Sequence, residues 1–140
     1  MKQLIFFALI IFQTIAFSQV EAVSGTYNYT FNGSNGSTGE TIILLADGSF
    51  EIQTFKKLDG GHPPEDYTYG KGSWELKKKI IHFSTTDTDF DSKFTLNLNT
   101  TQAQFDTKSP RDISNTEVPT TLRIFKSDVA WLVGRTLEKE

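Results

Sequence analysis

Hydrophobic and polar residues alternate with a period of two through most of this chain. The clearest run spans residues 25–31, where Tyr27, Tyr29 and Phe31 would share one face of an extended strand. Similar short runs recur between clusters of Gly, Asn, Asp and Pro, a pattern typical of strands joined by turns. The sequence after residue 18 has no sustained helical period of 3.6. We therefore predict an all-β domain built as a single antiparallel meander.

The alternation and the turn signals together predict about eight or nine strands. These strands would span residues 25–31, 41–45, 49–55, 67–76, 80–85, 91–98, 103–106, 121–125 and 129–137. The dipeptide Asp47-Gly48 predicts a tight hairpin turn, because it readily adopts left-handed backbone conformations. Gly70 and Gly72 predict a bulge or a sharp bend within their strand.

Three polar segments separate the predicted strands. Residues 32–39 are rich in Gly, Asn and Ser and are predicted to form a flexible loop. Residues 56–66 and 107–120 contain prolines, which excludes a central strand there and predicts two long loops. An open meander would leave its edge strands free to pair with other chains. We therefore expect the strands to close into a barrel or to fold as a sandwich.

The first 18 residues differ from the rest of the chain. Lys2 gives a positive start, residues 4–17 are almost wholly apolar, and Ala16 and Ser18 are small residues at the positions that a signal peptidase reads. This pattern predicts a secretory signal peptide, residues 1–18, cleaved before Gln19. Its apolar run is shorter than the roughly 20 residues that a membrane-spanning helix needs. Residues 19–140 are thus expected to form one exported domain, periplasmic or extracellular, with no transmembrane segment.

Composition narrows the class of protein further. The chain has no cysteine, which excludes disulfides, thiolate metal sites and a cysteine nucleophile, and favours a bacterial envelope or secreted protein. Removing the signal peptide deletes one lysine, Lys2, and moves the formal net charge from −3 to −4. A mildly acidic domain lacks the basic face that phosphate contacts need, so no nucleic-acid partner is expected.

Three short motifs resemble a known family. They are Gly25-Thr26-Tyr27 at the start of the domain, the apolar strand and Asp-Gly turn of residues 44–50, and Gly72-Ser73-Trp74 followed by residues 80–83. In this order they resemble the lipocalin-like domains of secreted bacterial proteins, and residues 121–133 are similar to the last hairpin of that family. Tyr27 stands where the family carries its first tryptophan. The resemblance covers about two-thirds of residues 19–140 and implies a small lipocalin-like barrel.

The family resemblance also implies a function in binding. A barrel of about eight strands is either packed solid or holds one small ligand. We expect a small apolar or amphipathic molecule inside the barrel, with the loops at residues 56–66 and 107–120 bordering its open end. Arg123 or Arg135 would meet a fatty-acid carboxylate if either points inward. The candidate ligand-binding residues are Tyr27, Tyr29, Phe50, Trp74, Phe94, Arg123 and Trp131.

Two alternatives to a ligand-binding barrel remain at this point. The barrel could be filled and act as a protein-interaction domain of the bacterial envelope, using its long loops or an exposed edge. A small hydrolase using Asp59, His62 or Glu65 is a third hypothesis, but no nucleophile or phosphate-binding motif supports it. Two histidines without cysteine are few ligands for a metal site. We therefore expect no catalytic residues, no metal and no cofactor.

Overall fold

The computed structural model describes residues 19–140, and their strands form a closed antiparallel barrel in which each strand pairs with its neighbours in sequence and β1 also pairs with β8. The strands are β1 (Gly25–Gly33), β2 (Gly36–Leu44), β3 (Ser49–Leu58), β4 (Glu65–Lys77), β5 (Ile80–Ser84), β6 (Gln102–Asp106), β7 (Thr121–Lys126) and β8 (Thr136–Lys139). Short 3-10 helices lie at Asp87–Asp89 and Ala130–Leu132. The predicted all-β meander closing into a barrel is confirmed. The predicted signal peptide lies outside the described residues.

The connections of the meander alternate between the two ends of the barrel. We call the end with the β1–β2, β3–β4, β5–β6 and β7–β8 connections the open end, and the other the closed end. Residues 56–66 and 107–120 were predicted to border the same end, and this is wrong. The first segment follows β3 and the second follows β6, so an odd number of strands separates them and they lie at opposite ends. Residues 107–120 belong to the closed end.

The residues just before β1 cover the closed end. Residues 19–23 are helical, and the Val23 side chain is almost fully buried. The Tyr27 hydroxyl donates a hydrogen bond to the Val23 carbonyl, and Lys139 Nζ donates one to the Ala22 carbonyl over 2.9 Å. The core above this cover consists of Tyr27, Ile42, Leu44, Phe50, Ile52, Trp74, Ile81, Phe83, Leu98, Ala103, Leu122, Ile124, Leu132 and Leu137.

Two neighbouring rows of inward-facing residues across β1–β4 differ sharply in polarity. The row nearer the closed end contains Tyr27, Ile42, Ile52 and Gly70. The next row contains Tyr29, Glu40, Thr54 and Thr68. On the β1–β4 side, the interior is therefore apolar towards the closed end and polar towards the open end.

Residues 91–98 were predicted to form a strand and do not. They make one isolated parallel bridge, between Tyr69 and Phe94, instead of a ladder. A Cβ atom at Gly70 would lie only 3.0 Å from the Leu96 Cβ and 3.2 Å from a Leu98 methyl carbon. These leucines occupy the space that the missing side chain leaves. The alternation in residues 91–98 reflects burial of alternate side chains against β4, and backbone pairing is limited to the bridge at Tyr69.

The bulge predicted at the glycines of β4 is absent from the β3–β4 ladder. β3 and β4 pair without a register shift, so Gly70 and Gly72 produce no bulge in that ladder. A Cβ at Gly72 would collide with the Ser84 carbonyl oxygen, so the glycine is needed for close packing of β4 against β5. The register shift lies between β6 and β7, at Gln102 and Ala103.

Two further segments differ from the predicted boundaries. The predicted loop at residues 32–39 is mostly strand, because β1 reaches Gly33, β2 begins at Gly36, and only two residues turn between them. The predicted last strand at residues 129–137 begins with the 3-10 helix instead. That helix buries Leu132 in the core before the chain enters β8.

Candidate functional site

A cavity of about 410 Å³ lies inside the open end of the barrel. β2, β3 and β4 contribute inward-facing polar side chains to it, and the β7–β8 connection contributes an arginine and a tryptophan. Its lining includes Thr38, Thr54, Lys56, Asp66, Thr68, Trp131 and Arg135. We call it the open-end cavity. Its volume is in the range that small-molecule sites usually have.

Arg135 is held between two groups at this cavity. Its Nη1 donates a hydrogen bond to the Tyr29 hydroxyl over 3.0 Å, and its guanidinium carbon lies 4.7 Å from the centre of the Tyr29 ring. On the other side, its Nε lies 3.5 Å from Oε1 of Glu40. The Arg135 side chain keeps 29% of its surface exposed, so part of the guanidinium faces the cavity.

Glu40 is the unusual residue of this end. Its side chain has no exposed surface, and neither carboxylate oxygen has a hydrogen-bond partner among the described residues. Burial raises the pKa of the Glu40 carboxyl, and the positive charge of Arg135 opposes that rise. An apolar residue would fill the same place without the desolvation cost of a carboxylate. Buried polar groups left without partners are rare in folded proteins and mark positions that need an explanation.

Besides the aromatic residues Phe55 and Trp131, the open-end cavity is lined by hydroxyl groups and by balanced charges. Thr38 donates a hydrogen bond to the Phe55 carbonyl over 3.0 Å, and its oxygen can still accept one. Lys56 and Asp66 are directly opposite each other on β3 and β4. The two cations, Arg135 and Lys56, are thus matched by two carboxylates on the same walls.

An apolar surface adjoins the open-end cavity. A shallower depression of about 470 Å³ shares Thr38 and Lys56 with the cavity and is also lined by Phe31 and Leu58. Phe31 is 56% exposed and Leu58 is 46% exposed. We call this surface the rim depression. A molecule that filled both places would meet polar groups at one end and apolar groups at the other.

The structure brings two of the seven candidate residues to the open-end cavity. Trp131 lines it directly, and Tyr29 positions the arginine that lines it. Tyr27, Phe50 and Trp74 are buried towards the closed end instead. Phe50 packs edge-on against Phe83 with 4.9 Å between ring centres, and Trp74 Nε1 donates to the Leu45 carbonyl over 2.9 Å. Burial raises the pKa of Tyr27 to about 12.

The remaining two candidates lie away from the open-end cavity. Phe94 packs against Tyr69, with 6.2 Å between ring centres, and Lys71 Nζ lies 4.6 Å from the Phe94 ring centre. Arg123 is exposed and donates to the Gln104 side chain over 3.0 Å. Of Arg123 and Arg135, the two arginines considered as partners for a ligand, Arg135 is the one that faces inward.

Sequence reasoning missed Glu40, Thr54 and Thr68. The signal was available, because Glu40 is two residues from Ile42 and four from Leu44, on the same alternating face. Placing the loop at residues 32–39 hid that alternation, since it cut β2 short. Thr54 and Thr68 follow the same rule on β3 and β4, where they are paired directly across the ladder.

Outside the open-end cavity, the ionisable side chains at residues 89 and 91 and at His62 do not form a site. Asp89 accepts a hydrogen bond from the Thr86 backbone, and Asp91 accepts two from the backbone of residues 93 and 94. These two bonds lower the pKa of Asp91. His62 is exposed in the β3–β4 connection. Within residues 19–140, no three side chains of the metal-ligating types come together.

Comparison with family models, with curated proteins and with solved structures finds no significant match to this chain. Within residues 19–140, no helix is long and apolar enough to cross a membrane. The open-end cavity and its chemistry are therefore the features from which a function can be inferred.

Proposed function

We propose that this protein is an exported lipocalin-like binding protein that holds a small amphipathic molecule at the open end of its barrel. The open-end cavity would take the polar head of that molecule, and the rim depression would take its apolar part. The observation that carries this proposal is the group of polar residues at the inner end of the cavity, where Arg135 lies between Tyr29 and the buried Glu40. The open-end cavity and the rim depression, of about 410 and 470 Å³, are larger than the two depressions beside residues 19–23 at the closed end, of about 330 and 260 Å³.

The desolvation cost of burying Glu40 and Arg135 supports a role for these residues beyond folding. Glu40 and the Nε atom of Arg135 are buried without hydrogen bonds, and an apolar pair would fold at least as well. Binding sites commonly contain a few such polar groups within an otherwise apolar or aromatic wall. Trp131, 45% exposed beside the same cavity, offers the aromatic face of such a wall.

The signal-like pattern of residues 1–18 supports export as part of the proposal. The test is to express the full chain in a bacterial host and to sequence the N-terminus of the protein found outside the cytoplasm. We expect the mature chain to begin at Gln19. Recovery of an uncleaved chain from the cytoplasm alone would contradict export and leave the binding proposal standing.

The two tryptophans allow a direct test of binding. Trp131 lines the open-end cavity, whereas Trp74 is buried near the closed end and serves as an internal reference. Titration with ten-carbon amphiphiles should change the fluorescence of the protein and of Trp74→Phe, and leave Trp131→Phe nearly unchanged. Native mass spectrometry of the same samples should show the bound mass. Absence of a bound mass and of any fluorescence change with every amphiphile would reject the proposal.

One observation favours a second function, the protein-interaction domain. Residues 107–120 form a long connection at the closed end, and Ile113 within it is 95% exposed. A partner protein could cover that side chain. Ile113→Ser would then weaken capture of a partner without affecting amphiphile binding, whereas the small-molecule proposal predicts no loss of function from this change.

A further inference from the structure

Arg135 lies at the inner end of the open-end cavity, and a neighbouring carboxylate compensates part of its positive charge. Arg135 faces the cavity, and Glu40 lies behind it with 3.5 Å between Nε and Oε1. Glu40 is fixed there by β2, which pairs with β1 on one side and with β3 on the other. An isolated arginine at this place would attract an anionic head, and the neighbouring carboxylate reduces that attraction.

We propose that Glu40 sets the charge class of the ligand, so that the cavity selects a neutral, hydroxyl-bearing or amide-bearing head over an anionic one. This inference rests on the proposed function and specifies its ligand. Glu40 is a positioning and specificity-determining residue, because its oxygens are covered and do not touch the ligand.

The negative charge of Glu40 acts on the nearby open-end cavity with little screening. Its oxygens have no hydrogen-bond donors and no contact with water, so little screens the carboxylate from the cavity above it. At a separation of about 6 Å in partly buried surroundings, one unit charge changes the affinity for another by about tenfold or more. The repulsion by Glu40 would therefore offset much of the attraction between an anionic head and the guanidinium of Arg135.

The remaining groups of the cavity fit a neutral head. The hydroxyls of Thr54 and Thr68 can donate and accept hydrogen bonds, and the Thr38 oxygen can accept one, as hydroxyl and amide heads require. The charges at the rim, Lys56 and Asp66, oppose each other and add no net attraction for an anion.

Few ionisable groups face Glu40 from the surrounding elements. β1 contributes Tyr29, the approach to β8 contributes Arg135, and β3 and β4 contribute Lys56 and Asp66 nearer the rim. Arg135 is the group paired with it in the described part of the chain. Protonation of Glu40 at lower pH would free Arg135, so the affinity for an anionic head should rise as the pH falls.

The test uses three probes with the same ten-carbon chain and different head charges. They are 1-decanol, 1-decanesulfonate, which stays anionic at low pH, and decyltrimethylammonium. Affinities are measured by calorimetry for the wild-type protein, for Glu40→Gln and for Glu51→Gln, at about pH 7.5 and about pH 5. Glu51 is exposed on β3 and provides the matched control, since it is the same substitution on the outer face.

We expect wild-type protein at the higher pH to bind decanol about tenfold or more tightly than decanesulfonate. Glu40→Gln should raise the affinity for decanesulfonate by a similar factor and remove the dependence of that affinity on pH. The same substitution should weaken the binding of decyltrimethylammonium. Glu51→Gln should behave like the wild type.

Different failures point to different conclusions. Decanesulfonate binding that is tighter than decanol binding in the wild type would overturn the inference about Glu40 and keep the proposed function. An unchanged preference for decanol over decanesulfonate in a folded Glu40→Gln protein would also overturn the inference and keep the proposed function. If that variant does not fold, the wild-type affinities for decanesulfonate at the two pH values still test the inference. Failure of all three probes to bind either protein would overturn the inference and the proposed function together.

Discussion

The two inner rows across β1–β4 have the same backbone and opposite chemistry. Tyr27, Ile42 and Ile52 lie in one row, and Tyr29, Glu40 and Thr54 lie two residues further along the same strands, in the same register. Both rows are continuous in the ladder, so backbone pairing closes the barrel regardless of the side chains. The difference shows that a single step of two residues along each strand separates packed core from candidate binding site.

The largest expected effect comes from truncating one residue in each row. Ile52 is 1% exposed and Thr54 is 6% exposed, so the two are similarly buried on the same strand. Ile52→Ala should lower the free energy of unfolding by about 2–4 kcal/mol, because it leaves a cavity among apolar neighbours. Thr54→Ala should cost about 1 kcal/mol or less, because it removes a hydroxyl and a methyl group beside an existing cavity. Urea unfolding of the wild type and both variants measures the comparison, and equal losses would remove the distinction between the rows.

The second expected effect concerns pH and Glu40. Burial raises the pKa of this carboxyl above its ordinary value of 4.5, so between 4.5 and the raised value the folded protein holds a proton that the unfolded chain has lost. The contribution of Glu40 to the free energy of unfolding therefore falls as the pH rises through this window. Glu40→Gln removes that fall, and the variant should gain stability relative to the wild type by up to about 1.4 kcal/mol per pH unit within the window.

Unfolding of the wild type and Glu40→Gln in urea, at a series of pH values from about 4 to about 8, measures this difference. Taking the difference between the two proteins removes the opposite contributions of Asp47, Asp91 and Asp112, whose pKa values are lowered by local hydrogen bonds. Glu51→Gln is again the control. A difference that stays constant with pH would mean that Glu40 titrates alike in both states.

The contrast between the rows also explains what the sequence could predict. Period-two alternation identified the strands and their buried faces, because that signal depends on side-chain type alone. It could not distinguish pairing from mere packing, as residues 91–98 show: Leu96 and Leu98 alternate correctly but fill the space beside Gly70. It also could not identify which inward residues meet a cavity, because that depends on the position of each row along the barrel. Glu40 therefore went unnoticed in a segment whose apolar partners were recognised.

A smaller effect is expected at the closed end, from the hydroxyl of Tyr27. This group is buried and donates to the Val23 carbonyl, which ties residues 19–23 to the barrel. Tyr27→Phe should lower the free energy of unfolding by about 1 kcal/mol, because one buried carbonyl loses its partner. Hydrogen exchange should show faster exchange at residues 19–24 in this variant, with the amides of β2 and β3 unaffected. Uniform acceleration throughout the barrel would instead assign the hydroxyl to the core as a whole.

The smallest expected effect is that of replacing Arg123, compared with the same replacement at Arg135. Arg123 is exposed and hydrogen-bonded to Gln104, whereas Arg135 lines the open-end cavity. Arg123→Gln should change the free energy of unfolding by about 0.5 kcal/mol or less and leave the affinity for decanol unchanged, because exposed polar contacts contribute little. Arg135→Gln should weaken decanol binding, since it removes the cavity-facing guanidinium and releases Tyr29. Equal losses of affinity in both variants would show that the ligand lies on the outer wall, and would move the site from the open end to the face that carries Arg123.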